Sequence, residues 1–317
     1  MKIVSYSDIG HRENNEDSIA VGEFVFVLCD GVGGAAKGEV ASQFVANAII
    51  NKTNEISQSS VTESLVQNLI NEVQNELNSY AANHPECQRM GTTLAAVFVS
   101  ENNFIVAHIG DSRIYFIDPQ NKKYWRSRDH SVVSELINSG LLDEKEVKDH
   151  YLKNQITRAI QAIPDVGVVN ADITSINKAV AGDLFFLCSD GVNEVLDDSE
   201  LVSILSNTQM SIQSRLDVIQ KKCQYLSSDN NSAILIEVEP EDEACSAGEC
   251  NLVWNNLPSS DLIFKESKSM NTTAKPNVIT NSTLKSGNDF NRLLKIALYT
   301  FAVLFIALIA LSILKHR

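Results

Sequence analysis

A series of short apolar segments, which follow one another along the chain, constrains the fold most strongly. Eight of them predict strands, near residues 2–6, 18–29, 93–99, 104–109, 113–117, 168–176, 184–188 and 232–238. Amphipathic patterns predict helices over 37–50, 61–80, 198–207 and 211–226. Because the strands run consecutively and the helices are grouped in pairs, regular strand–helix–strand alternation is disfavoured. The sequence therefore predicts an α+β domain over residues 1–239, with largely antiparallel sheets covered by helix pairs.

Acidic residues recur where the predicted strands end, in small turns that also hold Gly or Asn. Five turns share this feature: Glu16-Asp17, Asp30-Gly31, Gly110-Asp111, Asp190-Gly191 and Asp229-Asn230. Each one alone fits a plain turn. Carboxylates at strand ends can point into one cleft, however, and several close together repel one another unless a cation compensates. Oxygen ligands without a Cys/His cluster favour a hard cation such as Mg²⁺ or Mn²⁺.

The charge and the cysteines limit the partners and the compartment. The net charge is −14 and falls almost entirely within residues 1–240, whereas nucleic-acid-binding surfaces are typically basic, so we expect no nucleic-acid partner. Cys29 and Cys188 lie in apolar runs and are expected to be buried thiols in a reducing compartment. Cys245 and Cys250 could bridge or bind metal, but their polar surroundings favour neither.

Eight motif segments, in order and in register, carry a family resemblance. They are GHRENNEDS (10–18), CDGVGGAAKGEVAS (29–42), GTTLAAVFV (91–99), VAHIGDSRIY (106–115), DHS (129–131), ITRAI (156–160), LCSDGVNEVL (187–196) and SDNNSAILIEV (228–238). Together they span essentially all of residues 3–238. The chain resembles the metal-dependent protein phosphatase family, also called type 2C. Its compact G-G-x-x-x-G segment after Asp30 is most similar to bacterial members.

The resemblance implies both a fold and an activity. The implied fold is a four-layer α-β-β-α sandwich of two antiparallel sheets flanked by helix pairs. The implied enzyme is a protein serine/threonine phosphatase that hydrolyses phosphoserine and phosphothreonine with a metal-activated water, and so reverses a Ser/Thr kinase in bacterial signalling. The expected cofactors are two or three Mn²⁺ or Mg²⁺ ions per domain. The expected partners are phosphorylated proteins, including such a kinase and its targets.

The same resemblance implies which residues bind the metals. Asp30 is expected to bridge two ions, with the Gly31 carbonyl helping to hold one of them. Glu16 lies in the segment that binds the second ion, partly through water. Asp190 and Asp229 are expected to complete the shell of the first ion.

Three further residues are implied to surround these ligands. Asp17 is expected to hold metal-bound waters, and Asp111 matches the weaker third metal site of bacterial members. Arg12 lies where the family places an arginine that grips the substrate phosphate, and its planar fork suits two phosphate oxygens.

One position departs from the pattern. Some family members place a histidine directly after the Asp-Gly, where it can protonate the leaving oxygen, but this chain has Val32 there, so the general acid stays unassigned.

His11, His108 and His130 fall in motif segments and are expected to have structural roles. Residues 131–156 match a mobile flap that contacts substrate in the family, and their pattern predicts a helix followed by an exposed polar segment.

Three alternatives stay open at this point. A pseudophosphatase would use the fold only for binding, although Asp30, Asp190 and Asp229 are all present. A phosphatase dedicated to one regulatory protein would share the same chemistry. A metal-dependent phosphodiesterase or nuclease is disfavoured by the acidic domain, which would repel a polyanion.

The C-terminal part predicts a membrane anchor. Residues 240–291 lose periodicity and are rich in Asn, Ser, Thr, Lys and Glu, which predicts a flexible linker. Residues 296–314 form an uncharged apolar run long enough to cross a bilayer as a helix. Two basic residues flank the run on each side, so flanking charge does not decide its orientation. Because the N-terminus has no apolar export signal, we expect a single-pass protein of the cell inner membrane with a cytoplasmic catalytic domain.

Overall fold

A computed structural model describes residues 1–32, 37–163, 167, 169–245 and 252–258. The strands are β1 (Lys2–Asp8), β2 (Asp17–Val21), β3 (Val25–Asp30), β4 (Gly91–Thr92), β5 (Leu94–Val99), β6 (Phe104–Ile109), β7 (Arg113–Asp118), β8 (Lys123–Arg126), β9 (Ile160–Gln161), β10 (Asp172–Ile176), β11 (Lys178–Ala179), β12 (Leu184–Cys188), β13 (Asn231–Glu237), β14 (Ala244–Cys245) and β15 (Asn255–Asn256). The helices are α1 (Gly38–Thr53), α2 (Glu63–Asn83), α3 (Val132–Asn138), α4 (Asp190–Val195), α5 (Asp198–Leu205) and α6 (Ile212–Leu226).

Two antiparallel sheets form the centre of the domain. One has the strand order β1-β13-β12-β7-β8-β15 and the other has the order β10-β6-β5-β3-β2. Helices α1 and α2 pack together against the five-stranded sheet, whereas α4, α5 and α6 cover the six-stranded sheet. The predicted α+β class and the four-layer α-β-β-α sandwich are both confirmed.

The side chains of β12 show how one strand serves two cores. Phe185 and Leu187 point into the layer between the sheets, where the Phe185 ring lies 4.7 Å from the ring of Phe104. The alternate residues, among them Phe186, belong to the second core under α5 and α6. Because successive side chains point to opposite faces, a strand covered on both sides reads as a continuous apolar run. The run at 184–188 has this form, which is why the sequence identifies it clearly.

The strands differ from the sequence expectation in several places, two of which have a clear cause. The run predicted as one strand over 18–29 is a hairpin, since β2 and β3 are separated by a turn in which the Gly22 N–H donates to the Val25 carbonyl. Strand β8 was not predicted because its four residues are charged or aromatic and only half-buried. All four predicted helices are present, and the flap residues include α3 as expected.

The domain extends beyond the predicted boundary at residue 239. Strand β14 pairs with β11, and β15 adds to the open edge of the six-stranded sheet next to β8. Leu252 is buried, and the Trp254 ring lies 5.6 Å from the Phe116 ring with the Lys123 ammonium 4.0 Å from its centroid. The predicted linker start at 240 is therefore corrected, because single apolar anchors in a polar segment carry no periodic signal.

None of the helices within the described part of the chain has the length and apolar character needed to cross a bilayer. The predicted transmembrane run at 296–314 lies outside those residues, as does most of the predicted linker.

Candidate active site

Seven of the eight predicted site residues line one cleft at the ends of the central strands. Asp30 ends β3, Asp111 lies between β6 and β7, Asp190 opens α4 directly after β12, and Asp229 comes just before β13. Glu16, Gly31 and Arg12 line the same cleft. The sequence placed these carboxylates at strand ends, and the two sheets bring those ends together. The structure thus assembles the expected ligand set, while the role of each residue stays a prediction.

The β2–β3 hairpin forms the floor and one wall of the cleft. Asp30 and Asp17 are directly paired in its register, and the Gly31 N–H donates to the Glu16 carbonyl at 3.0 Å. Thr93 binds the Asp30 backbone twice, since its Oγ1 accepts from the Asp30 N–H at 3.0 Å and its own N–H donates to the Asp30 carbonyl at 2.8 Å. Three of the predicted carboxylates therefore project from backbone that is held rigidly.

Asp17 lies beneath the cleft and does not line it. Its side chain is buried, Oδ2 accepts a hydrogen bond from Ser189 Oγ at 2.7 Å, and Oδ1 has no hydrogen-bond partner among the described residues. A buried acceptor without a partner is costly, so this oxygen suits a water or cation bound from the cleft side. Sequence analysis did not single out Ser189, although it lies inside the LCSDG segment.

The opposite wall is a loop that Asn230 ties to the sheet. The Asn230 amide donates to the carbonyls of Ile9 and Asn14 at 2.8 and 2.9 Å, and its oxygen accepts from the Glu16 N–H at 2.9 Å. Gly10 (φ +58°) lies so close that a Cβ there would be 2.0 Å from the Asp229 carbonyl oxygen. The asparagine after Asp229 is thus the residue that positions the loop, a role that its short turn motif did not reveal.

Arg12 extends from this loop into solvent at the mouth of the cleft. Its side chain is 57% exposed, and Nη2 donates to Asp229 Oδ2 at 2.5 Å. An exposed ion pair of this kind is weak, so the guanidinium is available to an incoming anion. Among the described residues that line the cleft, it is the one cation.

The carboxylates of the cleft suppress one another's ionisation. Partial burial, followed by the charges of Asp17 and Asp190, raises the pKa of Asp30 well above its usual value. Burial and Asp190 raise the pKa of Asp111 to about 8, and burial and Asp229 raise that of Asp190 to about 6. Burial raises the pKa of Asp17 to about 7. Groups that resist ionisation together in this way are the ones that a divalent cation would deprotonate.

The donor set fits a hard divalent cation. It consists of carboxylate oxygens and the Gly31 carbonyl, which are the ligands that Mg²⁺ and Mn²⁺ prefer. Val32 also lines the cleft, so the side chain directly after Asp30-Gly31 offers no proton donor. Asn154 and Ile156, at the end of the flap segment, complete the lining, and sequence analysis had not identified either.

Comparison with known proteins gives one consistent family. The family described as Protein phosphatase 2C matches residues 6–222. A putative protein phosphatase 2C-type of Streptococcus pyogenes is 31% identical over 252 residues, which cover 76% of this chain and 99% of that protein. A serine/threonine phosphatase stp of Listeria innocua is 29% identical over 235 residues, covering 71% of this chain and 91% of the relative.

Solved structures agree with these sequence matches. The serine/threonine phosphatase Stp1 from Staphylococcus aureus superposes with a TM-score of 0.68 at 27% identity, covering 75% of this chain and 95% of that one. The catalytic domain of PstP, solved with two manganese ions, superposes with a TM-score of 0.63 at 26% identity over 75% and 98% of the two chains.

The chain belongs to the protein phosphatase 2C family of metal-dependent protein serine/threonine phosphatases, so the expected enzyme class is confirmed.

Proposed function

We propose that this cleft hydrolyses phosphoserine and phosphothreonine in proteins with two or three bound Mn²⁺ or Mg²⁺ ions. The observation that carries the proposal is the convergence of Glu16, Asp30, Asp190 and Asp229 beneath a single exposed arginine. The acidic floor would hold the cations. Arg12 above them would receive the anionic group of the substrate.

Asp30 and the Gly31 carbonyl would hold the ions at the floor, Glu16 would face them from the hairpin side, and Asp190 and Asp229 from the other. When bound, such ions lower the pKa of a water molecule and neutralise charge on phosphoryl oxygens. The third ion would lie at Asp111.

The side chains of the protein would bind the substrate phosphate and hold water. Arg12 would exchange its exposed contact with Asp229 for the phosphate, placing its two-pronged donor on two phosphoryl oxygens. Asp17, hydrogen-bonded to Ser189, would hold water through its free Oδ1. Because Val32 stands where a proton-donating side chain would lie, the leaving oxygen would take its proton from water.

Turnover by the purified domain tests the proposal. A chain ending at residue 258 should release phosphate from phosphoserine and phosphothreonine peptides when Mn²⁺ is present and lose that activity in excess EDTA. A parallel assay on single- and double-stranded DNA and RNA should show no cleavage. No release at saturating Mn²⁺ would favour a binding-only protein, and nucleic-acid cleavage would favour a phosphodiesterase.

The physiological role that we propose is reversal of a Ser/Thr kinase at the inner face of the cell membrane. The uncharged run at 296–314 would anchor the chain, and the segment before it would act as a tether that raises the effective concentration of membrane-bound phosphoproteins. Four cysteines of the folded part, Cys29, Cys87, Cys188 and Cys223, are free and buried, which suits a reducing cytoplasm.

Cell fractionation with protease protection tests this topology. The full-length protein should pellet with membranes, resist carbonate extraction and expose its catalytic domain to protease only from the cytoplasmic side. Extraction by carbonate, or protection of the domain from cytoplasmic protease, would contradict it.

A further inference from the structure

The turn that carries Asp111 is packed against Thr93, the residue that binds the Asp30 backbone. Gly110 has a φ of +101°, and a Cβ there would lie 2.6 Å from Cγ2 of Thr93, so only glycine fits. Ser112, on the other side of Asp111, lies 2.7 Å from Thr93 through their hydroxyl oxygens. The direction of the Asp111 side chain therefore depends on how firmly this turn is held.

His130 holds both polar groups of the Gly110 backbone. The His130 N–H donates to the Gly110 carbonyl at 2.8 Å, and the Gly110 N–H donates to His130 Nδ1 at 3.1 Å. The second bond requires a lone pair on Nδ1, so the proton of the neutral ring lies on Nε2. His130 is 6% exposed, and burial lowers its pKa, which agrees with a neutral ring.

A second set of contacts fixes that tautomer and the orientation of the ring. Nε2 donates to Asp172 Oδ2 at 3.1 Å. Arg158 Nη1, which lies 3.3 Å from Nε2, donates to Asp172 Oδ1 at 2.7 Å. The His108 ring stacks on the His130 ring at 4.6 Å between centroids, and His108 Nε2 is 2.7 Å from the Arg128 carbonyl. The imidazole is thus held from its edge and its face.

The same three side chains do not form a second metal site. Ligand atoms of His108, His130 and Asp172 lie within 4.8 Å of one another. The two rings are nearly parallel, at 22°, so their in-plane lone pairs do not converge on one point. The Arg158 guanidinium also occupies the carboxylate. Arg158, Asp172 and His130 instead form a chain of hydrogen bonds that ends at the Gly110 turn.

We propose that His130 is a positioning residue, whose Nδ1 holds the Gly110 turn and thereby directs Asp111 into the cleft for cation binding. This inference rests on the proposed function only in treating Asp111 as a cation ligand. A residue that positions a ligand in this way affects cation affinity without touching the cation.

Two substitutions separate the two bonds of the ring. His130→Asn keeps an acceptor, Oδ1, near the position of Nδ1, so the Gly110 N–H keeps its partner. His130→Gln keeps a donor near the position of Nε2 for Asp172 but offers no acceptor at Nδ1. Both variants replace a ring by an amide, so the loss of stacking on His108 is matched between them.

Calorimetric titration with Mn²⁺ is the primary readout because it does not depend on turnover. We expect both His130→Gln and Asp111→Asn to weaken the weakest Mn²⁺ site about 10-fold or more, and His130→Asn to stay within about 3-fold of the wild type. The double variant Asp111→Asn/His130→Gln should show no loss beyond that of Asp111→Asn alone, because both changes act on one ligand. Thermal unfolding in EDTA checks that each variant is folded.

Equal losses in the Asn and Gln variants, wild-type binding by His130→Gln, or additive losses in the double variant would overturn the proposal. Should His130→Gln not fold, Asp172→Ala replaces it, because that change frees the ring to adopt the other tautomer. It should weaken the same site, and unchanged binding would contradict the proposal. A wild-type protein that binds Mn²⁺ but releases no phosphate would refute the proposed function while leaving this inference intact.

Discussion

The two walls of the cleft are built differently. On the hairpin side, Asp17 and Asp30 project from paired strands, and Thr93 binds the Asp30 backbone twice. On the loop side, Arg12 is more than half exposed and, among the residues that the structure describes, has a single side-chain partner, Asp229. The difference indicates a division of labour. In the function that we propose, the rigid wall would hold the cations, and Arg12 on the exposed wall would receive the phosphate of the substrate.

Removing charge from the rigid wall should have the largest effect. Asp30→Asn should lower kcat on a phosphopeptide at least about 1,000-fold, which corresponds to about 4 kcal/mol of barrier. Because Asp30 is held against other carboxylates, the same change should leave the domain folded and raise its thermal midpoint in EDTA. Asp217→Asn, on the outer helix α6, is the matched control and should leave both values unchanged. A residual rate above about a tenth of wild type would remove Asp30 from the ligand set.

Changing the exposed wall should affect substrate binding more than cation binding. Arg12→Ala should raise KM for a phosphopeptide about 10-fold or more and lower kcat less, because in the proposed function the guanidinium would contact phosphate before and during the reaction. Arg12→Lys keeps the charge but loses the planar fork of donors, so its KM should lie between those of the wild type and Arg12→Ala. Mn²⁺ affinity should be retained in both variants. Unchanged KM would make Arg12 a partner of Asp229 only, and lost Mn²⁺ affinity would show that the two walls do not act separately.

The crowding of carboxylates predicts an unusual pH dependence of stability without metal. The pKa values of Asp17, Asp111 and Asp190, about 7, 8 and 6, lie above the ordinary value of about 3.9 for Asp. The folded state therefore retains protons that the unfolded state has released, and the stability they confer is lost as the pH rises through these values. In EDTA, the thermal midpoint should fall as the pH rises from about 6.5, above the ordinary histidine pKa, to about 8. Above about pH 8 it should level off, because the three carboxyl groups are then ionised in both the folded and the unfolded state.

Saturating Mn²⁺ should remove this decline, since the ionised carboxylates bind the cation. Asp111→Asn should reduce the slope in EDTA. A midpoint that is flat or rises with pH in EDTA would show that the carboxylates are further apart in solution than in the structure.

We expect the smallest effect from removing the C-terminal edge of the domain, which takes no part in either wall of the cleft. A chain ending at residue 239 should be less stable than one ending at 258 by about 1–3 kcal/mol, since it loses the burial of Leu252 and the ring contacts of Trp254. Both chains should hydrolyse a small phosphoester at the same rate per folded molecule. Trp254→Ala in the chain ending at 258 should reproduce part of this loss of stability. Equal thermal midpoints for the two chains would place the domain boundary at 239.

The sequence predicted those features whose pattern lies in consecutive residues, and it did not predict those that depend on contacts between distant residues. Buried strands such as 184–188 and the carboxylates that end them are local patterns, so the fold class and the meeting of these carboxylates in one cleft were predictable. Asn230 and His130 act through hydrogen bonds to backbone distant in sequence, at residues 9, 14 and 110, and no local pattern encodes such partners. The edge strand β15 was missed for a similar reason, because its anchor is a single tryptophan in a polar segment.

A crystal structure of the domain grown with Mn²⁺ tests the central claim most directly. Anomalous scattering should place at least two manganese ions in the cleft, in contact with Asp30 and with Asp190 or Asp229, and Arg12 should stay free of them. Manganese absent from the cleft at saturating concentration, or bound instead by His108, His130 and Asp172, would contradict the account.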